Sequence, residues 1–346
     1  MTKPPLLFYY GDRLISNWTQ PIVDYLRTSL ERISRPALVH VPSQAKSYRD
    51  DLWESYEAVG FAGIRKEDEI ALPPNTKIIG FTCSDIPDSL RSHLNSLKSF
   101  RGDAGWSRSV AECAINLTLN CLRQSAFHHV HLATGGTDGW KFHGDQLSDR
   151  IDAVSGELAG KRAGILGVGK AGGHAAVLAQ AFGAEVCGFD PYKDDAYFER
   201  LGIRRAKLED MVRWAQIMIV CASPTESAVK ILSAEFVRSM EKGSIVVIVS
   251  RARVTDFAEI RRRVLADELV LGVDVYDVEP LPVDDPLRNR WNVVHFPHIA
   301  GRTFDSGRRF IDLCAEGFRR YFAGEDVPKI VRPGDLPHEP PGWLCE

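Results

Sequence analysis

One stretch limits the choice of fold more than any other. Residues 161–191 run Lys-Arg-Ala-Gly-Ile-Leu-Gly-Val-Gly-Lys-Ala-Gly-Gly, pass through an Ala-rich segment and end in Glu-Val-Cys-Gly-Phe-Asp-Pro. Ala163 to Leu166 is a short apolar run that reads as a strand, and Gly167, Gly169 and Gly172 follow in G-x-G-x-x-G spacing. In that pattern the first glycine makes a tight turn, the second lets a pyrophosphate approach the backbone, and the third lets the next helix pack closely on the sheet. Residues 175–182 are rich in Ala, Leu and Gln and propagate a helix whose N-terminal amides face the anion. Asp190 closes the next strand about twenty residues on, placed to accept a hydrogen bond from a ribose hydroxyl. A triphosphate reading, G-x-x-x-x-G-K over Gly164, Gly169 and Lys170, competes. Ala171 lacks the Mg-binding hydroxyl that reading needs, and Ile165 and Leu166 still belong to the strand, so a dinucleotide is the expected guest.

The chain has 346 residues, 44% hydrophobic and 26% charged, enough for two cored domains of ordinary globular composition. A net charge of -3 with no basic run offers no footprint for nucleic acid or an anionic membrane. No apolar run approaches transmembrane length, and the first residues lack a signal-peptide layout, so a cytoplasmic protein is expected. The cysteines (Cys83, Cys113, Cys121, Cys187, Cys221, Cys314, Cys345) are dispersed without a C-x-x-C pair, which predicts reduced thiols and no metal site.

Residues 1–106 read as a first α/β unit, with strand-like runs at 6–10, 37–41 and 77–81 and a helical period over 18–33. Ser109 stands three residues before Glu112, a capping-box spacing, and predicts one long apolar helix over 109–129. His128, His129 and His131 near its end read as partners of the helix dipole rather than as metal ligands. Residues 133–160 are Gly-rich and polar and predict a long surface loop, with Gly139-Trp140 its one apolar mark and His143 a surface position. The runs 217–221, 245–249, 269–275 and 293–296 are Val- and Ile-rich without alternation, the pattern of parallel strands buried on both faces. A final amphipathic helix is expected over 301–322. An extended Pro-rich tail follows over 327–343, with no further C-terminal domain.

In open α/β sheets ligands bind beyond the carboxyl ends of the strands. By that rule Arg251, Glu279 and His298 are the residues to watch, each just after a run. A cation, a carboxylate and an imidazole suit reduction of a carbonyl beside a carboxylate. The His delivers a proton, the Glu favours its charged form and fixes its ring, and the Arg forks onto the substrate carboxylate. His295, inside its apolar run, reads as a satisfied core residue.

The motifs Gly167-Val-Gly-Lys-Ala-Gly172, Arg251-Ala-Arg-Val-Thr-Asp256, Asp274-Val-Tyr-Asp-Val-Glu279-Pro280 and Pro297-His298-Ile-Ala-Gly-Arg-Thr303 stand in the order and spacing of the D-isomer-specific 2-hydroxyacid dehydrogenases, which residues 109–303 resemble. The resemblance implies a Rossmann-type doubly wound NAD-binding domain (107–304) inserted in a smaller flavodoxin-like α/β substrate domain made from both chain ends (1–106 plus 305–346). It implies hydride transfer between NAD(H) and a small 2-oxo or 2-hydroxy acid, with Arg251 as substrate anchor, His298 as acid/base and Glu279 as its partner. It places Lys170 and Ala171 at the pyrophosphate, Asp190 at the adenosine ribose and Asp274 on the nicotinamide side. Cys221, Ala222, Val249, Ser250 and Gly301 complete the cofactor surface, and a homodimer uses the long-helix region. Asp190 favours NAD over NADP by repelling a 2'-phosphate, although Lys193 nearby offers an offsetting charge.

The chain departs from the family pattern at several places. Ala252 replaces the usual Gly, Ile248 the usual Asn, and Trp106 a small polar residue. The loop expected to hold the substrate carboxylate reads Thr82-Cys83-Ser84-Asp85-Ile86-Pro87 instead of a Gly-containing one. Thr82, Cys83, Ser84 and Trp106 are the candidate substrate contacts, and for Trp106 and Arg108 a packing or dimer role is an equal alternative to substrate contact. Two other functions stay open: an NAD(H)-sensing, corepressor-like binding protein, and a dehydrogenase of a non-carboxylate oxyanion such as phosphite.

Overall fold

The computed structural model describes residues 3–11, 19–41, 48–82, 86–93, 96–102, 105–135 and 150–331. Its chain divides into two compact units, one of Met1–Trp106 with the segment from Arg302 onward, the other of Ser107–Gly301.

The first unit is built on a parallel sheet of β1 (Pro5–Gly11), β2 (Arg35–Val41), β3 (Ala58–Ala62), β4 (Ile78–Thr82), β5 (Lys98–Gly102) and the C-terminal strand Ile330–Val331. The order is Ile330–Val331, β5, β4, β3, β1, β2. Alternate side chains of β1 go to opposite faces, and both faces are buried. Leu6 and Phe8 join Leu26, Ile311 and Phe318 from the helices Thr19–Glu31 and Phe304–Phe322, while Leu7 and Tyr9 join Phe61, Ile79 and Phe81. Two of these strands escape a reading by pattern. β3 is short with a central glycine, and β5 buries only Phe100 fully. Part of the expected Pro-rich tail is a strand, since Ile330 pairs with Arg101 and Val331 with Gly102.

Among the described residues the second unit carries seven parallel strands, β6 (Arg162–Leu166), β7 (Glu185–Phe189), β8 (Arg204–Arg205), β9 (Ile217–Val220), β10 (Ile245–Ile248), β11 (Val270–Val273) and β12 (Val293–His295). Their order is β12-β11-β10-β9-β6-β7-β8. Every residue of β9, β10 and β11 is buried, which explains their unalternating Val and Ile. The order reverses between β6 and β9, so the carboxyl end of β6 is the topological switch point where a ligand is received.

The expected helix over 109–129 is two helices. The first, Ser107–Arg123, starts two residues earlier than the Ser109 box suggests, with Ser109 buried inside it. Gln124 then adopts a left-handed conformation (φ 50°) that ends it, and Ser125–Thr134 forms a second helix with no buried residue. Of the expected loop 133–160, residues 133–134 belong to that helix. Val154, Gly156 and Gly160 donate backbone hydrogen bonds to Gly243, Leu122 and Gly183, which ties the described part of this segment to the unit. Gly139, Trp140 and His143 lie outside the described residues. No helix of the described residues is long and apolar enough to cross a membrane.

Candidate active site

The glycine turn follows β6 directly, and each glycine has a distinct local reason. Gly167 has φ +85°, and a Cβ there would stand 2.3 Å from the Cα of Ala222. A Cβ on Gly172 would stand 2.0 Å from the Gly167 carbonyl oxygen. Gly169, the N-cap of helix Lys170–Ala181, has nothing within 4 Å of its would-be Cβ. The first and third glycines are required by close packing, while the second faces open space at a helix N-terminus. That combination fits a dinucleotide pyrophosphate, which Gly169, Lys170 and Ala171 would hold at the positive end of the helix.

Around the turn, the Gly167 amide donates to the Phe189 carbonyl and the Cys221 amide to that of Leu166. The ends of β6, β7 and β9 are thereby held together, with Asp190 and the pair Cys221 and Ala222 beside the turn. Burial pushes the Cys221 thiol up to about 12, so it is a neutral group. The Asp190 carboxylate accepts from the Tyr192 amide at 3.0 Å. Val249 and Ser250 follow β10, where the Ser250 carbonyl accepts a 2.6 Å hydrogen bond from Arg251.

The acid-base residues stand on neighbouring strands. Glu279 follows β11 and His298 follows β12, and His298 Nδ1 lies 2.8 Å from Glu279 Oε2. The other carboxylate oxygen accepts from the Tyr276 amide at 2.9 Å. Burial of Glu279 opposes its ionisation. The hydrogen bonds from His298 and Tyr276, with the nearby charges of His298 and Arg251, outweigh it and hold the carboxyl below its ordinary value. The Nδ1 edge of the ring faces the carboxylate, with Nε2 on the opposite edge.

His298 itself has φ +56°, unusual for a side chain of this size. Asp274, 1% exposed, fixes that conformation. Its carbonyl accepts from the His298 amide at 2.9 Å, and its carboxylate accepts from the amides of Ile299 at 2.7 Å and Ala300 at 3.1 Å. Asp274 therefore holds the loop that presents His298 and leads to Gly301, a role that sequence reasoning missed.

Arg251, Glu279 and His298 line one groove of about 450 Å³, joined by Lys230, Tyr276 and Asp277. Lys230 had no local sequence signal, and its ammonium pairs with Asp256 at 3.0 Å. His295 is fully engaged in the fold, with Nδ1 2.9 Å from the Tyr276 hydroxyl and Nε2 3.0 Å from the Leu287 carbonyl. Burial lowers its pKa, as suits a neutral ring bonded on both sides.

Thr82 and Trp106 belong to the other unit. Thr82 is buried and its hydroxyl donates to the Phe310 carbonyl at 2.9 Å. Trp106 packs edge-on against Phe310, centroids 4.5 Å apart. Cys83 and Ser84 lie outside the described residues. Among the described residues no group of three or more His, Cys, Asp or Glu side chains is placed to hold a metal ion.

The depressed carboxyl of Glu279 makes a pH prediction. Its contribution to stability is fully present above the ordinary carboxylate range and is lost as pH falls through the lowered folded value. The Tm advantage of the native chain over Glu279→Gln should therefore be constant near neutrality and shrink in acid. A difference that grows on acidification would contradict the assigned sign.

A strand order that reverses beside a glycine turn, with a helix N-terminus facing open space, defines a dinucleotide-binding domain of the Rossmann type. The model described as "D-isomer specific 2-hydroxyacid dehydrogenase, NAD binding domain" matches residues 115–300, and the chain belongs to that family. A glyoxylate reductase of Korarchaeum cryptofilum is 28% identical over 188 residues, 54% of this chain and 57% of that one. A D-3-phosphoglycerate dehydrogenase of Methanocaldococcus jannaschii is 26% identical over 319 residues, 91% of this chain and 55% of that one. The chain thus spans little more than half the length of these relatives. The fold is shared with the NAD-complexed D-isomer specific 2-hydroxyacid dehydrogenase of Lactobacillus delbrueckii ssp. bulgaricus (TM-score 0.73, 17% identity, 93% of this chain and 98% of that one). It is shared too with a phosphoglycerate oxidoreductase from Rhizobium etli (TM-score 0.72, 23% identity, 94% and 97%).

Proposed function

We propose that this chain is an oxidoreductase of the D-isomer type that interconverts a small 2-oxo acid and its 2-hydroxy acid. The observation that carries the proposal is the 2.8 Å His298–Glu279 pair in the same groove as Arg251. NAD(H), when bound, supplies or takes up the hydride. Arg251 receives the substrate carboxylate on its planar fork and steadies charge at the carbonyl oxygen. His298 gives a proton from Nε2 to the forming alkoxide, or takes it in the reverse direction, while Glu279 stabilises the imidazolium. Asp274 keeps the His298 loop in register beside the nicotinamide side. The unit from Ser107 to Gly301 is the cofactor domain in this reading, and the unit made from both chain ends carries the substrate loop after Thr82.

NAD is preferred over NADP, because the Asp190 carboxylate disfavours a 2'-phosphate. Lys193, which would offset that charge, has its ammonium 4.4 Å from the Tyr197 ring centroid and is engaged there. A homodimer through the helix Ser125–Thr134 is supported by its having no buried residue and by the exposure of Phe127, Val130 and Leu132.

The test is steady-state reduction of glyoxylate, hydroxypyruvate, pyruvate and bulkier aryl or branched 2-oxo acids, each with NADH and NADPH. At least one acid should turn over with NADH and more slowly with NADPH, and Asp190→Ser should narrow that gap. Tight NADH binding with no turnover would favour an NAD(H)-sensing regulatory protein. Activity confined to phosphite with NAD would move the substrate to a non-carboxylate oxyanion.

A further inference from the structure

Glu279 lies in a stretch without helix or strand, residues 276–287, that contains Pro280, Pro282 and Pro286. Prolines donate no backbone hydrogen bond, so such a segment needs outside anchors to hold one carboxylate against one imidazole. Arg288 donates to the Pro282 and Leu281 carbonyls at 2.6 and 2.7 Å, and a second anchor, Arg261, comes from a neighbouring helix. Arg261 Nη1 donates to both carboxylate oxygens of Asp285 at 2.7 Å, and Nη2 donates to Asp277 Oδ1 at 3.0 Å. The two aspartates bracket Glu279, and each is tied in turn to its own loop. Asp277 Oδ1 also accepts from the Val278 amide at 3.1 Å, and Asp285 Oδ1 from the Leu287 amide at 2.9 Å.

The Asp285 pair is partly shielded, with side-chain exposures of 21% for Arg261 and 8% for Asp285, so solvent screens it less than an ordinary surface pair, while the Asp277 arm, 38% exposed, is screened more. Arg261 rises from helix Phe257–Leu265, whose N-cap Asp256 ends the motif that begins at Arg251. The helix carrying the clamp therefore starts from the substrate-anchor loop and reaches back to the acid-base loop.

We infer that Arg261 is a positioning residue that sets the Glu279 carboxylate against His298 by clamping Asp277 and Asp285 on either side of it. The inference rests on the reading of Glu279 and His298 as the acid-base pair. Lysine cannot reproduce the clamp, because its ammonium has no planar fork to span two carboxylates.

The test compares wild type, R261A, R261K and D277N, each alone and combined with E279Q, on the fastest-reduced acid of the panel above. If Arg261 acts through Glu279, R261A lowers kcat about tenfold in the native background and has little further effect beside E279Q, a coupling that independent sites do not show. R261K should not restore the rate, and KM for NADH should hold. D277N removes one arm only and gives a smaller loss, which keeps the test usable should R261A fold poorly. Unchanged kcat in R261A, or a loss that persists in full beside E279Q, would overturn the clamp. The second readout is water exchange of the His298 Nδ1 proton by 15N NMR, which needs no substrate and should be faster in R261A than in wild type. Full activity of E279Q would sink the acid-base reading alone. The clamp would then stand or fall on the exchange measurement, and unchanged exchange would overturn it.

Discussion

His298→Ala is expected to lower kcat by roughly 10²–10⁴-fold, the usual cost of a lost general acid/base. The expectation follows from the placement of the ring, whose Nδ1 is bonded to Glu279 and whose Nε2 is left for the proton. Because the backbone here has φ +56°, His298→Asn is the cleaner variant, since asparagine tolerates the left-handed region better than alanine. Both variants should lose turnover and keep NADH affinity, with the asparagine form closer to native Tm. Undiminished kcat in either would remove His298 from the mechanism. A fall in NADH affinity that accounts for the whole loss would instead make it a cofactor ligand.

The glycine turn supports a second large prediction, which separates fold from function. Gly167→Ala puts a Cβ 2.3 Å from the Ala222 Cα at a φ of +85°. It should cost about 2–5 kcal/mol, combining left-handed strain with overpacking against backbone, and abolish NADH binding with it. Gly169→Ala meets nothing within 4 Å and should leave Tm nearly unchanged, within about 0.5 kcal/mol. Its methyl group would nevertheless occupy the space through which a pyrophosphate reaches the helix amides, so NADH affinity should drop about tenfold or more. Thermal melts with NADH titrations check both. Equal NADH affinity in native chain and Gly169→Ala would show that the phosphate does not approach there.

What could be seen in the amino acids alone follows the range of the interactions involved. The turn at Gly167, Gly169 and Gly172 is local, and its constraints lie within a few residues of one another. Strands β9, β10 and β11 were legible because burial on both faces leaves runs of Val and Ile. The Glu279–His298 contact joins residues 19 apart and was still anticipated, because both end strands that a parallel sheet sets side by side. Strands that are short or exposed escaped: β5 buries only Phe100 fully, and β8 is the exposed pair Arg204–Arg205. The break at Gln124 has no marker, since glutamine in a left-handed conformation is set by tertiary context. Asp274 was assigned to the nicotinamide side, yet its carboxylate is bonded to the amides of Ile299 and Ala300, a use visible only once the His298 loop is folded. Arg261 has no local signal in the sequence, and only the fold brings Asp277 and Asp285 to it. The proposed substrate loop is the least legible part, as Cys83 and Ser84 lie outside the described residues and the Thr82 hydroxyl is bonded to Phe310.

The most direct test follows the hydride itself. NADH carrying deuterium at both C4 positions of the nicotinamide is incubated with the protein and each 2-oxo acid of the panel, and the product is analysed by mass spectrometry and chiral chromatography. At least one acid should yield its D-2-hydroxy acid with deuterium at C2, and the yield should collapse with His298→Asn. Saturated NADH binding with no label transferred to any acid would contradict the assignment of this chain as a 2-hydroxyacid oxidoreductase.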